Sequence, residues 1–361
     1  MAPVPDEALS QGLAQNDPAS LVYPLKITPP IGEGTAVEIA PRVYWLRMPL
    51  GLELGYINVW ALEDDDGWSL VDTGLRTPQT VEAWHRAFAH TLGEKPIQRI
   101  LVTHLHPDHS GMAGWLANRT GARLWMTRLE YLTLRVLVND IGREAPVEGL
   151  SFYRAAGWSE PALDRYRTRF GDFGKMVYPI PNAYQCMMDG DRIMIAGQEW
   201  QVVVGVGHSP EHACLYCPTL KLLIAGDQVL PTISSNISVQ PLEPEADPLT
   251  DWLTTLATVR DRVPEDTLVL PAHGDPFLGL HQRIDQLLSG HERSLVRLAE
   301  ALAQPKRAVD IFSVLFRRPI TPELQSMATG ESLAHLHCLR HRGIAQRHTD
   351  ADGIAWWSRA C

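Results

Sequence analysis

Nine residues, Thr103 to Gly111, read THLHPDHSG and set His104, His106, Asp108 and His109 within six positions of one another. Imidazole nitrogen and carboxylate oxygen are the ligands that zinc-type ions prefer, so such a cluster asks for metal. Strand-like Ile100-Leu101-Val102 leads in, and Ser110-Gly111 before a helical pattern leads out, which places the cluster on a strand-to-helix loop. On a strand His104 and His106 project to the same side, and Pro107 then turns the chain and brings Asp108 and His109 round. Four ligands are too many for one tetrahedral ion that keeps an open position, which suggests two ions and further ligands downstream. Three later positions qualify, each on a short loop after a strand-like run: His208 in Gly207-His208-Ser209-Pro210, Asp227 in Ala225-Gly226-Asp227-Gln228, and His273 in Pro271-Ala272-His273-Gly274.

The rest of the chain bounds what such a site can serve. At 361 residues there is room for one large domain and a small one, and no run of eighteen apolar residues marks a membrane-spanning helix. Met1 to Ala19 has neither a basic start nor an apolar stretch, so a cytoplasmic location is the expectation. Five cysteines, odd and sparse, argue against a disulfide framework. Cys214-x-x-Cys217 lies in a strand-like run whose residues three apart face opposite sides, which argues against a metal pair there. A net charge of −10 makes the whole chain a poor non-specific nucleic-acid binder.

Strand patterns at Val37 to Met48, Tyr56 to Leu62 and Trp68 to Val71 come first, and helix and strand patterns alternate after them. Residues 1–35, rich in Pro, Ala and Gln without a period, read as an extended or partly disordered extension; residues 36–304 read as the catalytic domain. Within it, residues 128–185 form a mostly helical insertion with aromatics throughout. Residues 305–361 carry eight basic against five acidic residues. Helices are expected at 308–316, 321–327 and 331–342, then a hairpin around Asp350-Ala351-Asp352-Gly353, a winged-helix pattern.

Val71-Asp72-Thr73-Gly74, the HxHxDH run of 104–109, GHSPEH at 207–212, GDQ at 226–228 and AHG at 272–274 occur in an order that resembles the metallo-β-lactamase superfamily. The likeness is to the binuclear branch of glyoxalase II and the acyl-homoserine lactonases. It implies an α+β fold, an αββα sandwich of two mixed sheets with the metals at one edge, here with a helical insertion and a small C-terminal winged-helix domain. It also implies that His104, His106 and His208 hold one metal, that Asp108, His109 and His273 hold the other, that Asp227 bridges them, and that Asp72 supports the site from behind. Glu211 departs from the family's usual glycine in GHxPGH, and Leu230 stands where the lactonases place a tyrosine.

Two divalent ions, zinc first with iron or manganese as alternatives, would share a hydroxide nucleophile, with Asp108 orienting it and passing its proton to the leaving group. An ester, thioester or lactone of a small molecule is the expected substrate. A metal-dependent ribonuclease or phosphodiesterase that uses the winged helix, through Arg340, Arg342 and Arg347, is the alternative, and an iron-dependent oxidoreductase a third. Arg165 and Arg169 in the insertion, with Ser234 and Asn236 after the bridging aspartate, are the candidate pocket residues. A homodimer is compatible with the tail, and no membrane partner is expected.

Overall fold

The computed structural model describes residues 21–51 and 54–360. Its centre is a pair of facing β-sheets. The first has seven strands in chain order: β1 Val37–Ala40, β2 Val43–Pro49, β3 Tyr56–Asp64, β4 Gly67–Val71, β5 Ile97–Leu101, β6 Arg123–Thr127 and β7 Gln185–Met187. β1 to β4 pair antiparallel, whereas β4 to β7 run parallel with helices between them. The second sheet comprises β8 Arg192–Ile195, β9 Gln198–Gly205, β10 His212–Cys217, β11 Leu222–Gly226 and β12 Leu268–Pro271, antiparallel except for the β11–β12 pair.

Alternation along the strands builds three cores. Trp45, Trp60, Val71 and Leu101 from the first sheet meet Trp200, Leu215, Ile224 and Leu270 from the second to form the layer between them. The outer face of the first sheet buries Val59, Leu70 and Ile100 under the helices Pro78–Ala87 and Ala113–Thr120. The outer face of the second buries Val203, Leu223 and Val269 under the helices Pro248–Arg262 and Leu280–Ala301. Cys214 belongs to this outer core and Cys217 to the inner one, as the strand alternation predicts, and both are free thiols.

The insertion holds the helices Arg128–Val138, Val147–Ala155, Glu160–Arg169 and Asp172–Lys175. Its aromatics divide: Tyr131 packs under the first sheet, whereas Tyr153 and Trp158 join the outer core of the second. It therefore straddles the end of the sandwich.

Of the expected N-terminal extension, residues 1–20 lie outside the described residues, and residues 21–35 run without regular helix or strand but are tied to the main body. Leu21 is buried, Val22 exchanges both backbone hydrogen bonds with Leu278, and Gly32 N–H donates to Arg47 O. In the tail, the helices expected at 321–327 and 331–342 are one continuous helix, Gln325–His341, following the short turns Ala308–Ile311 and Phe312–Leu315. Gly330, which suggests a break, is there for close approach: a Cβ at this point would lie 2.7 Å from Ser238 Cβ, and its carbonyl accepts from Val239 N–H. The hairpin strands are β13 Ala345–Thr349 and β14 Ala355–Arg359. Leu315, Ala334, Leu339 and Trp357 of this segment share the buried cluster of Trp252 and Leu295.

Candidate metal centre

Every candidate ligand sits where a strand ends. β5 runs into Thr103–His109, β11 into Asp227, β12 into His273, and the β9–β10 connection carries His208. Because β4 and β5 are parallel, as are β11 and β12, these ends converge on one edge of the sandwich. Glycine lets the loops close. Gly226 adopts φ +50°, and a Cβ there would lie 2.5 Å from His212 Nε2; Gly207, at φ +108°, would strike Trp252 Cβ at 2.4 Å.

Two groups of ligand-type atoms result: His104, His106, His208 and Asp227 in one, Asp108, His109 and His273 in the other. In the first, His104 Nε2 lies 2.8 Å from His106 Nδ1 and 3.2 Å from His208 Nε2. In the second, His273 Nε2 is 3.2 Å and His109 Nε2 3.6 Å from Asp108 Oδ2. Asp227 faces both: its Oδ2 is 3.5 Å from His208 Nε2, and its Oδ1 is 3.3 Å from His109 Nε2 and 3.7 Å from His273 Nε2.

The opposite nitrogens of four of these rings are held from behind. His109 Nδ1–H donates to Asp72 Oδ2 at 2.8 Å, and the same carboxylate accepts from Thr103 N–H and Thr103 Oγ1–H. His104 Nδ1 lies 3.0 Å from Thr103 Oγ1. His208 Nδ1–H donates to Asn236 O at 2.7 Å, and His273 Nδ1 lies 3.2 Å from Tyr56 O. Such contacts leave Nε2 of each ring as the metal-facing atom. Asp72 takes a left-handed backbone, φ +62°, to make them.

The donor set fits cations. His109 Nε2 and Asp227 Oδ1 are buried and face each other at 3.3 Å without a hydrogen bond of good geometry, which leaves both atoms for a cation between them. Burial, reinforced by the charge of His109, holds His104 well below the usual imidazole range and so neutral. Burial alone would raise the Asp227 and Asp108 carboxyls, but the facing histidines outweigh it and both are held low, hence ionised. The same carboxylates overcome burial at His109 and raise it, so metal would displace a proton there. His212 is not a ligand: its Nε2 accepts from Asp227 N–H at 3.1 Å, which orients the aspartate.

Two supports are announced by no motif. Glu130, fully buried, accepts from Leu105 N–H at 2.8 Å, from Ser209 Oγ–H at 2.6 Å and from Glu211 N–H at 2.8 Å. One carboxylate thus ties the HxHxDH loop to the loop of His208. Glu211, the departure from glycine, accepts from Leu129 N–H and so caps the helix Arg128–Val138. The second support is Glu331 of the C-terminal helix, whose Oε2 accepts from Asn236 Nδ2–H at 2.7 Å, on the same residue whose carbonyl holds His208. We expect Glu331→Ala to weaken metal binding by about 10- to 100-fold and Glu331→Gln to restore most of it, measured by competition with a chromophoric chelator.

Ser234 and Asn236 therefore stand behind His208 rather than on a pocket surface: both are buried, and Ser234 Oγ lies 2.9 Å from His291 Nε2. Arg165 and Arg169 do line a cavity, with Trp158 and Tyr166. Arg340 and Arg347 both pair with Glu245, and Arg342 pairs with Glu292. No helix of the described residues is long and apolar enough to cross a membrane.

Residues 52–274 match the metallo-beta-lactamase superfamily, and residues 295–360 match a family described as the metallo-beta-lactamase-like, C-terminal domain. A beta-lactamase domain protein from Burkholderia ambifaria is 38% identical, with TM-score 0.86 over 95% of this chain and 99% of that one. A metallo-beta-lactamase family protein from Thermus thermophilus is 27% identical, with TM-score 0.75 over 89% of this chain and all of that one. The probable metallo-hydrolase YqjP of Bacillus subtilis is 21% identical over 81% of this chain and 91% of its own length. With that core, these strand-end ligands and both matched regions, the chain belongs to the metallo-β-lactamase superfamily of metallo-hydrolases.

Proposed function

We propose that the protein is a dinuclear, zinc-dependent hydrolase of an ester, thioester or lactone bond in a small organic molecule. The observation that carries the reading is Asp227, whose two carboxylate oxygens face separate groups of histidines. His104, His106 and His208 would hold one ion, Asp108, His109 and His273 the other, and Asp227 both. Ions bound there would supply Lewis acidity, which brings the pKa of water to about 7 and polarises a carbonyl.

The chain's own residues supply the rest. Asp108 is the more exposed of the two ligand carboxylates, its side chain 17% accessible, and it is held ionised, so it can take a proton and return it to a departing alkoxide or thiolate. A side-chain nucleophile near the site is disfavoured. Ser209 Oγ–H is committed to Glu130, and burial pushes the Cys214 thiol far up. The binuclear branch and a winged-helix description of the tail belong to the same reading. The nuclease alternative is weakened because Arg340, Arg342 and Arg347 are engaged by carboxylates of the main body.

The test is a substrate panel of thioesters, lactones, β-lactams, phosphodiesters and RNA, run on metal-analysed wild type and on His106→Ala. The reading expects turnover of a carbonyl substrate that His106→Ala loses. Turnover of RNA alone, or of nothing but a redox substrate with iron bound, overturns it. Chelation should also lower the unfolding temperature of the wild type, since a ligand that binds only the folded chain at 100 times its Kd adds about 2.7 kcal/mol; an unchanged melting curve contradicts this.

A further inference from the structure

A cavity of about 400 Å³ lies where the insertion meets the start of the C-terminal helix. Its aromatic side is preassembled: Tyr153 stacks on Trp158 with centroids 4.1 Å apart, and Tyr166 meets Tyr153 edge-on at 4.8 Å. Trp158 Nε1–H is fixed on Thr329 Oγ1 at 2.9 Å, so the wall is rigid. Its other character is cationic. Arg165, Arg169 and Lys175 line the cavity in a chain of net charge −10. Asp172 answers Lys175 at 2.7 Å and stands 3.8 Å from Arg169, with Glu323 alongside both arginines. Arg165 donates to a neutral acceptor, Gln325 Oε1, at 3.1 Å, so three cations face two carboxylates.

The walls are tied to the metal centre. Met176 borders the cavity; its carbonyl accepts from Arg76 N–H, and two residues on Tyr178 N–H donates to Gly111 O, at the end of the HxHxDH loop. Gln325 and Ser326 border it from the other side, one helical turn before the Gly330 and Glu331 that grip the loop behind His208. The cavity is thus hung between the loop that carries His109 and the Asn236–Val239 segment that backs His208.

We infer that this cavity recognises the substrate through a small organic anion, a carboxylate or phosphate monoester-type group held against Arg165 and Arg169, with a flat apolar body lying on Trp158 and Tyr166. Calling the ligand a substrate rests on the hydrolase reading; the binding site itself does not. The test therefore uses probes that contain no ester, thioester, lactone or phosphodiester bond: 1-naphthaleneacetate against its neutral near-isostere 1-naphthaleneacetamide, checked to be intact after the titration, and 1-naphthylmethylphosphonate as a second anion. Affinities are read by calorimetry on the metal-loaded full chain.

At least one anion should bind about tenfold or more tightly than the amide, and the stronger one names the anion class. Arg165→Gln and Arg169→Gln change exposed positions on the helix Glu160–Arg169, and each should reduce that preference. Equal affinity for anions and amide in wild type, or a preference unchanged in both variants because the anion sits on the metals, overturns the inference. A kept preference in a protein inactive on every carbonyl substrate would sink the hydrolase reading and leave the anion site standing.

Discussion

Asp227→Asn should lose hydrolysis by at least about 100-fold and hold one metal ion per chain or fewer. Loss of a group that merely orients a ligand costs about 10- to 100-fold in metal affinity, and Asp227 faces both ligand groups directly. With the imidazoles neutral, only Asp108 and Asp227 bring anionic charge to two dications, so the substitution removes half of it from a buried site. The amide would also turn N–H donors towards one cation. The fold should persist, because the backbone at 227 stays anchored on His212 Nε2 and far-UV circular dichroism can verify this. A variant that keeps two ions and wild-type turnover would show that Asp227 does not connect the groups.

Glu130→Ala carries the second largest expectation: a loss of about 3 kcal/mol or more in chelator-treated protein, read by urea unfolding, together with weakened metal binding. Leu105 N–H, Glu211 N–H and Ser209 Oγ–H would each lose their buried acceptor, at about 1–3 kcal/mol apiece before any water enters. Glu130→Gln separates charge from shape. Burial pushes the Glu130 carboxyl up from 4.5 to about 7, against the downward pull of its three donors. A folded-state value above the unfolded one means that this group's contribution to stability is full below about pH 4.5 and declines as pH rises towards 7. The Gln variant cannot titrate there, so its stability relative to wild type should improve over that interval. A constant difference between the two would show that Glu130 keeps an ordinary carboxylate pKa.

The seven candidate ligands are legible in the sequence because each stands in a short loop beside its own strand signal, with glycine or proline marking the turn. Asp72 is legible for the same reason, at the end of β4. Glu130 is not: it is one acid in the first turn of an ordinary amphipathic helix, and its partners lie 25, 79 and 81 residues away. Gly330 misleads because a glycine inside a helical pattern reads as a stop, whereas here it admits the neighbouring loop. The ties that hold residues 21–35 to the main body, among them the β-bridges to Leu278 and Arg47 and the burial of Leu21, carry no sequence signal because they depend on residues far along the chain. Ser234 and Asn236 do lie beside the centre, but their side chains turn inward to His291 and Glu331 because the C-terminal helix covers that loop. The cationic face of Arg165 and Arg169 is visible as helical spacing; the aromatic wall opposite depends on tertiary packing.

The dinuclear centre is tested most directly by calorimetric titration of chelator-stripped wild type with zinc, calibrated against the same titration of Asp227→Asn. Saturation is expected at two equivalents per chain in the wild type and at one or none in the variant. Saturation of the wild type at a single equivalent, or identical curves for the two proteins, would contradict the dinuclear centre.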